Sequence, residues 1–190
     1  MIGGILLKRF VILTIGKTHS GKTTFAKELE QQLNHSIVID QDNHAEFINT
    51  YYTTLRPTQG PNTLKYAITN TIVDYAVQTT DFHLILCNSN RDRNSRSQLL
   101  SHFHHKGFES ILVYFDIPDD ILLERVRTSP RSRSILRSAS NFTEVLNRQI
   151  AESQQGTITA PKEGEANHLF VIKDSGDVPS VIQRIVALNV

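Results

Sequence analysis

The sequence predicts an α/β fold built on a parallel sheet, and three observations carry that reading. Short apolar runs rich in β-branched residues alternate with segments of helical spacing, the pattern of strands covered on both faces by helices. The first run, Phe10-Val-Ile-Leu-Thr-Ile15, passes through a glycine-bounded turn, Gly16 to Gly21, directly into helical spacing. The 190 residues are 39% hydrophobic and 21% charged, enough apolar surface for a core and too little charge excess for a disordered tail protein. That length fits one domain over 1–190, with an inserted lid at about 128–141.

The elements follow in order. Phe10–Ile15 is a strand buried on both faces, and Phe25, Ala26, Leu29 and Leu33 place a helix over Gly21–Leu33. Ser36–Ile39 forms the second strand and stops at the polar cluster Asp40-Gln-Asp-Asn43. Tyr51–Thr63 holds two prolines and a glycine without periodicity, which predicts a loop near the mouth of a site. Leu64–Thr79 returns to helical spacing, Phe82–Cys87 is the third strand, and a helix over about 94–106 ends at Gly107. Ser110–Phe115 is the fourth strand. Pro118-Asp-Asp120 then opens a helix, with proline at its first position and acids at the positive end of its dipole. Asn141-Phe-Thr-Glu144 has the spacing of a capping box for a helix through Ile150. His168–Ile172 is the fifth strand, followed by a closing helix through Val181, Ile182, Ile185 and Val186. Met1–Leu7 reads as a frayed extension or as part of the first strand.

Twenty basic and nineteen acidic side chains leave a net charge of +1, so no whole-molecule field draws the protein to nucleic acid or membrane. The charge is local instead. Arg125, Arg127, Arg131, Arg133, Arg137 and Arg148 face a single acid, Glu144, in the stretch 125–148. The one cysteine, Cys87, cannot form an intrachain disulfide and lies in an apolar run, which points to a core thiol and a reducing, cytoplasmic home. The apolar stretch from Phe10 is too short for a membrane span and has no signal-peptide cleavage pattern.

Gly16-Lys-Thr-His-Ser-Gly-Lys-Thr23 matches G-x-x-x-x-G-K-[ST] without a gap, between a strand and a helix. Backbone N–H groups in such a loop curl around phosphate oxygens, and the helix N-terminus adds partial positive charge. The phosphate-binding set is Gly16, Lys17, Thr18, His19, Ser20, Gly21, Lys22, Thr23 and Thr24. Lys22 reaches the β- and γ-phosphates and the Thr23 hydroxyl ligates Mg²⁺. No N-K-x-D element follows a later strand, so ATP is favoured over GTP.

Two further stations carry chemistry. Asp42 lies at the carboxyl end of the second strand, where it can orient an acceptor hydroxyl and take its proton, with Asp40 as the fallback. Asp42 equally suits the cap of a following helix. Arg131, Arg133 and Arg137 lie in a Ser-rich segment between two helices, where a lid can carry a guanidinium onto a phosphoryl in flight. Arg131 and Arg133 are the catalytic candidates among them. A basic patch for nucleic acid is a weaker reading, because no aromatic residue interleaves the arginines before Phe142.

With these residues in place the chain resembles the small P-loop kinases, most closely the branch of polynucleotide 5′-hydroxyl kinases and zeta-toxin-like sugar-nucleotide kinases. Val38-Ile-Asp-Gln-Asp-Asn43 resembles their second-strand element, and Leu84-Ile-Leu-Cys-Asn-Ser-Asn90 the third-strand one. Val113-Tyr-Phe-Asp-Ile-Pro118 with Leu122-Leu-Glu-Arg125 is similar to their fourth strand and the helix leading to the lid. The resemblance implies a three-layer α/β/α fold with strand order 2-3-1-4-5 and an Arg-rich lid. It also implies adenine held near Arg125 and Asp174–Gly176. One departure stands out: Cys87 or Asn88 occupies the place where many relatives hold an acid of the Mg²⁺ shell, leaving Thr23 and an acid of the second strand.

The reading that follows is an ATP- and Mg²⁺-dependent transfer of the γ-phosphoryl to a hydroxyl of a small molecule or nucleotide. A polynucleotide 5′-hydroxyl kinase and an ATP-binding switch or scaffold are the alternatives. The His102, His104 and His105 group reads as an exposed helix end, since helical spacing does not put all three on one face. Tyr51, Tyr52 and Arg56 are candidates to line the acceptor pocket.

Overall fold

The computed structural model describes residues 8–137, 139–156 and 158–189. The reading of Met1–Leu7 lies outside the described residues, as does Ser138 of the expected lid segment.

The strands are β1 (Arg9–Ile15), β2 (Ser36–Asp40), β3 (His83–Cys87), β4 (Phe108–Phe115) and β5 (His168–Ile172). They form one sheet in the order β2-β3-β1-β4-β5, and every pairing is parallel. The order anticipated from the resemblance is therefore the observed one. β1 is central, in register with β3 at Val11–Leu84 and with β4 at Val11–Ser110.

Seven helices cover the sheet among the described residues: α1 (Lys22–Gln32), α2 (Gln41–Tyr51), α3 (Thr63–Thr79), α4 (Arg93–His104), α5 (Asp119–Thr128), α6 (Phe142–Gln154) and α7 (Asp177–Ala187). The period-two alternation of β1 assigns its side chains to two cores. Phe10 and Ile12 pack with Phe25, Leu29, Leu146 and Ile182. Val11, Leu13 and Ile15 pack with Val73, Leu100 and Phe103 on the other face. A strand buried on both faces explains the uninterrupted apolar run in the sequence. No helix among the described residues is long and apolar enough to cross a membrane.

Two elements differ from expectation. The polar cluster after β2 begins a helix, α2, which buries only Ala45 and Ile48, too few to mark a period in the sequence. Its cap is Asp40, whose side chain accepts from the Asp42 N–H at 2.9 Å. The cap lies two residues before Asp42, which stands in the first turn of α2 with its side chain outside the cap. Pro118 occupies the cap of α5 and not its first turn. Half of the expected capping box is formed at α6: Asn141 accepts from the Glu144 N–H at 3.0 Å, while the Glu144 carboxylate accepts from the Ser140 N–H at 2.6 Å, one residue before the cap.

Candidate active site

The carboxyl end of β1 delivers the chain into the P-loop. The Gly16 N–H donates to Ser89 O at 3.0 Å, and a Cβ on residue 16 would sit 3.0 Å from Phe115 Cβ and 3.2 Å from the Phe115 carbonyl oxygen. Only glycine lets the loop lie this close to β4. Gly21, at φ +101°, turns the chain through the left-handed region directly into α1. No side chain caps α1, so its first-turn N–H groups remain available to an anion.

Inside this loop the Lys22 ammonium donates to Lys17 O at 2.6 Å and to Ser20 Oγ at 3.2 Å. Burial pushes its pKa down to about 8, against the pull of Cys87 and the nearby aspartates. The Thr23 hydroxyl donates to Asp40 Oδ2 at 3.1 Å and lies 3.6 Å from Cys87 Sγ. Asp40 is 5% exposed and acts twice, with one oxygen on the α2 cap and the other on Thr23. A hydroxyl backed by a carboxylate fits Mg²⁺, which prefers oxygen ligands and takes the rest from phosphates and water.

Of the two residues at the expected acid position after β3, Cys87 is the one beside Thr23. Burial pushes its thiol up to about 11, so it is neutral near pH 7. Asn88 turns aside, donating to Gln41 Oε1 at 2.9 Å and accepting from the Ser89 N–H at 2.8 Å.

The opposite wall comes from α2 and the segment after α5. Arg131 pairs with the Asp42 carboxylate and lies over the Phe142 ring, 5.2 Å from its centroid. His19 meets the same ring edge-on at 4.9 Å. Its pKa falls to about 4 through burial first, then through the charges of Arg131 and Lys22, which keeps the imidazole neutral. Arg125 bridges His19 O at 3.3 Å and Ser175 Oγ at 3.4 Å, tying the P-loop to the loop after β5. Gln149 of α6 accepts from the Thr18 N–H at 2.7 Å.

These walls enclose a cleft of about 1220 Å³. Thr18, His19, Ser20, Gly21, Lys22, Thr23 and Thr24 line it, together with Asp42, Arg125 and Arg131. Several expected residues fall elsewhere. Gly16 shapes the loop from behind, and the Lys17 ammonium points to Asp119 at 2.5 Å instead of into the cleft. Arg133 opens a 3-10 turn, Arg133–Ile135, with its side chain exposed, and it is Arg137 that lines the cleft. Tyr51 and Tyr52 pack on Phe47 at ring distances of 5.5 and 5.3 Å and, like Arg56, stay outside the lining.

Residues that sequence reasoning passed over are Asn62, Lys65, Tyr66 and Gln149. Asn62 caps α3 by accepting from the Lys65 N–H at 3.2 Å, and an Asn before a helical run was the available signal. Among the described residues no group of three or more His, Cys, Asp or Glu side chains converges as a metal site. His104 bonds Ser110 Oγ at 2.8 Å and His105 bonds Ser101 O at 2.7 Å.

The chain is similar in structure to the tunicamycin resistance protein of Deinococcus radiodurans, with a TM-score of 0.56, 19% identity and 95% of each chain covered. Kti12 of Chaetomium thermophilum, solved with ADP-AlF3, is similar at a TM-score of 0.63 and 16% identity, over 95% of this chain and 99% of that one. The APS kinase CysC of Mycobacterium tuberculosis, solved with AMPPNP and APS, is similar at a TM-score of 0.55 and 16% identity, over 95% and 98%. No curated protein sequence matches significantly. The family model described as an AAA domain matches residues 11–155. That match spans well over half of the sequence, and the chain therefore belongs to the AAA-domain family, in the fold of the small P-loop kinases.

Proposed function

We propose that the protein is an ATP-dependent phosphotransferase that moves the γ-phosphoryl of Mg·ATP to a hydroxyl of a small molecule. The observation that carries this reading is a carboxylate, Asp42, set across the cleft from the P-loop and paired with a lid guanidinium, Arg131. A nucleotide-binding loop alone needs no such acid. A kinase needs one to orient the attacking hydroxyl.

The geometry supports a role for each residue. P-loop N–H groups and Lys22 hold the β- and γ-phosphates, and Arg125 with the loop at Asp174 and Ser175 flanks the nucleoside end. Thr23, with Asp40 behind it, would hold Mg²⁺, whose chemistry when bound is to neutralise phosphate charge. Asp42 accepts the acceptor O–H proton as that oxygen bonds to the γ-phosphorus. The bond to the bridging oxygen breaks, and its electron pair leaves with ADP. Arg131, in a lid at about 128–141, stabilises the equatorial charge of the phosphoryl group. AMPPNP and APS in the APS kinase, and ADP-AlF3 in Kti12, support a nucleotide at this loop.

A second reading, an ATP-binding switch with little turnover, is favoured by Cys87 beside Thr23, a neutral thiol in place of an acid. Transfer from γ-labelled Mg·ATP to a panel of sugars, nucleosides, sugar nucleotides and aminoglycosides decides between the two. The expected result is a labelled acceptor whose labelling falls about 100-fold or more in Asp42→Asn, with ATP binding retained. Wild-type transfer by Asp42→Asn removes the base assignment. Binding without transfer to any acceptor favours the switch.

A further inference from the structure

On the acceptor side of the cleft the acids Asp40, Asp42 and Glu46 face the cations Arg131, Lys65 and Arg137, and the cations differ in what they touch. Three acids lie there and each has a partner: Asp40 accepts from Thr23 and the Asp42 N–H, Asp42 pairs with Arg131, and Glu46 accepts from the Ser134 hydroxyl at 2.8 Å. Of these three cations only Arg131 is paired with a carboxylate. Among the described residues no carboxylate lies within ion-pair distance of Lys65 or Arg137.

Lys65 stands in the first turn of α3, fixed by the Asn62 cap, with its ammonium 4.9 Å from the Tyr66 ring centroid. Burial lowers its pKa, the charge of Asp42 opposes that shift, and the nearby Arg137 adds to it. Arg137 donates to the carbonyls of Pro57, at 3.1 Å, and Gly60. Carbonyls orient the guanidinium fork without cancelling its charge. Two like charges held on one wall destabilise each other, and an anion placed between them removes that cost. A helix cap fixes the backbone at Lys65, and two loop carbonyls hold the Arg137 guanidinium, so part of the arrangement is preorganised.

We propose that the phosphate acceptor is a small anion, a hydroxyl compound carrying a phosphate or carboxylate group that binds Lys65 and Arg137 while its hydroxyl meets Asp42. This rests on the phosphotransfer reading and names its substrate class. Lys22 stays with the phosphates of ATP, so the two anions occupy opposite walls.

Two measurements test the proposal and separate it from the kinase reading. The first compares γ-phosphoryl transfer to matched acceptors: glycerol phosphate against glycerol, gluconate against glucose, and adenosine 3′-phosphate against adenosine. The proposal expects the charged member of a pair to be used at least tenfold better, with that preference lost in Lys65→Met and in Arg137→Gln. Phosphate and carboxylate pairs show which anion is recognised. Equal or better use of the neutral members overturns the anionic class and leaves the kinase reading intact, and preferential labelling of a long 5′-hydroxyl oligonucleotide overturns the small acceptor. The second titrates inorganic phosphate into protein saturated with AMPPNP, which fills the P-loop. Saturable binding that weakens tenfold or more in either variant supports the anion subsite even where no acceptor is labelled, an outcome that would count against the kinase reading alone. Absence of such binding in the wild type overturns the subsite.

Discussion

The Arg131 guanidinium donates to the Asp42 carboxylate within the wall that faces the P-loop, joining residues 89 apart in the sequence. On the proposed reading each of these groups has a task that the other blocks: Asp42 must accept from a hydroxyl, and Arg131 must face a phosphoryl. The pair therefore has to open before transfer. Phe142, beneath the guanidinium, offers a surface along which Arg131 can swing without losing its packing.

This gives a prediction about how the two residues fail. Arg131→Met should lower kcat by roughly 10²–10³, the usual cost of one donor aimed at developing charge, with the KM for ATP changed far less. Arg131→Lys should recover only part of that loss, because an ammonium keeps the charge and lacks the planar fork. The double variant with Asp42→Asn should fall no further than the worse single variant. Fully additive losses in steady-state kinetics would show that the two residues act independently.

A second prediction concerns the support behind the P-loop. Arg96 of α4 is 1% exposed, donating to Arg91 O at 2.6 Å, to Asn90 O at 3.2 Å, and to Glu165 through both Nε and Nη2. It fixes the turn after β3, whose Ser89 carbonyl receives the Gly16 N–H. Arg96→Met leaves two carbonyls without this donor and Glu165 with only the more exposed Arg93, at 3.3 Å, in a largely buried place. A loss of about 3–5 kcal/mol is expected, as for other broken buried pairs, lowering Tm on the order of 10 °C in a chain of this size. Arg96→Met with Glu165→Met should lose less than Arg96→Met alone. Chemical denaturation checks both, and a greater loss in the double variant would mean the pair itself is not the source.

The sequence was most informative where function is written in the backbone. The P-loop spacing encodes a turn that glycine alone can make, so Gly16 to Thr23 was legible without tertiary knowledge. The wall facing it was not. α2 buries two residues and hides behind a polar cluster, and Lys65 reaches the cleft only because an aperiodic loop ends at the Asn62 cap. Among the arginines of the expected lid segment, the 3-10 turn at Arg133–Ile135 leaves Arg133 exposed and Arg137 on the cleft. A Ser-rich sequence carries no periodicity from which to read that. Tyr51 and Tyr52 were plausible pocket residues by loop position, but Phe47, one helical turn away, offers them a ring to pack on.

The last prediction follows from the buried ammonium of Lys22. Its pKa of about 8 in the protein lies below the ordinary value of 10.5, because burial disfavours the charged form. Between those two values the unfolded chain holds more protons at this site than the folded one. Lys22 therefore adds to stability as pH rises through that window, and its contribution is lost as pH falls through about 8. Nucleotide phosphates act the other way, since an anion beside the ammonium favours its charged form. Binding of AMPPNP near pH 8.5 should therefore draw a proton onto the protein, and affinity should fall as pH rises above 8. Lys22→Arg keeps its charge throughout this range, so it should bind with no such uptake. Calorimetry in buffers of different ionisation enthalpy measures the proton directly. Equal uptake by wild type and Lys22→Arg would place the titrating group elsewhere in the cleft.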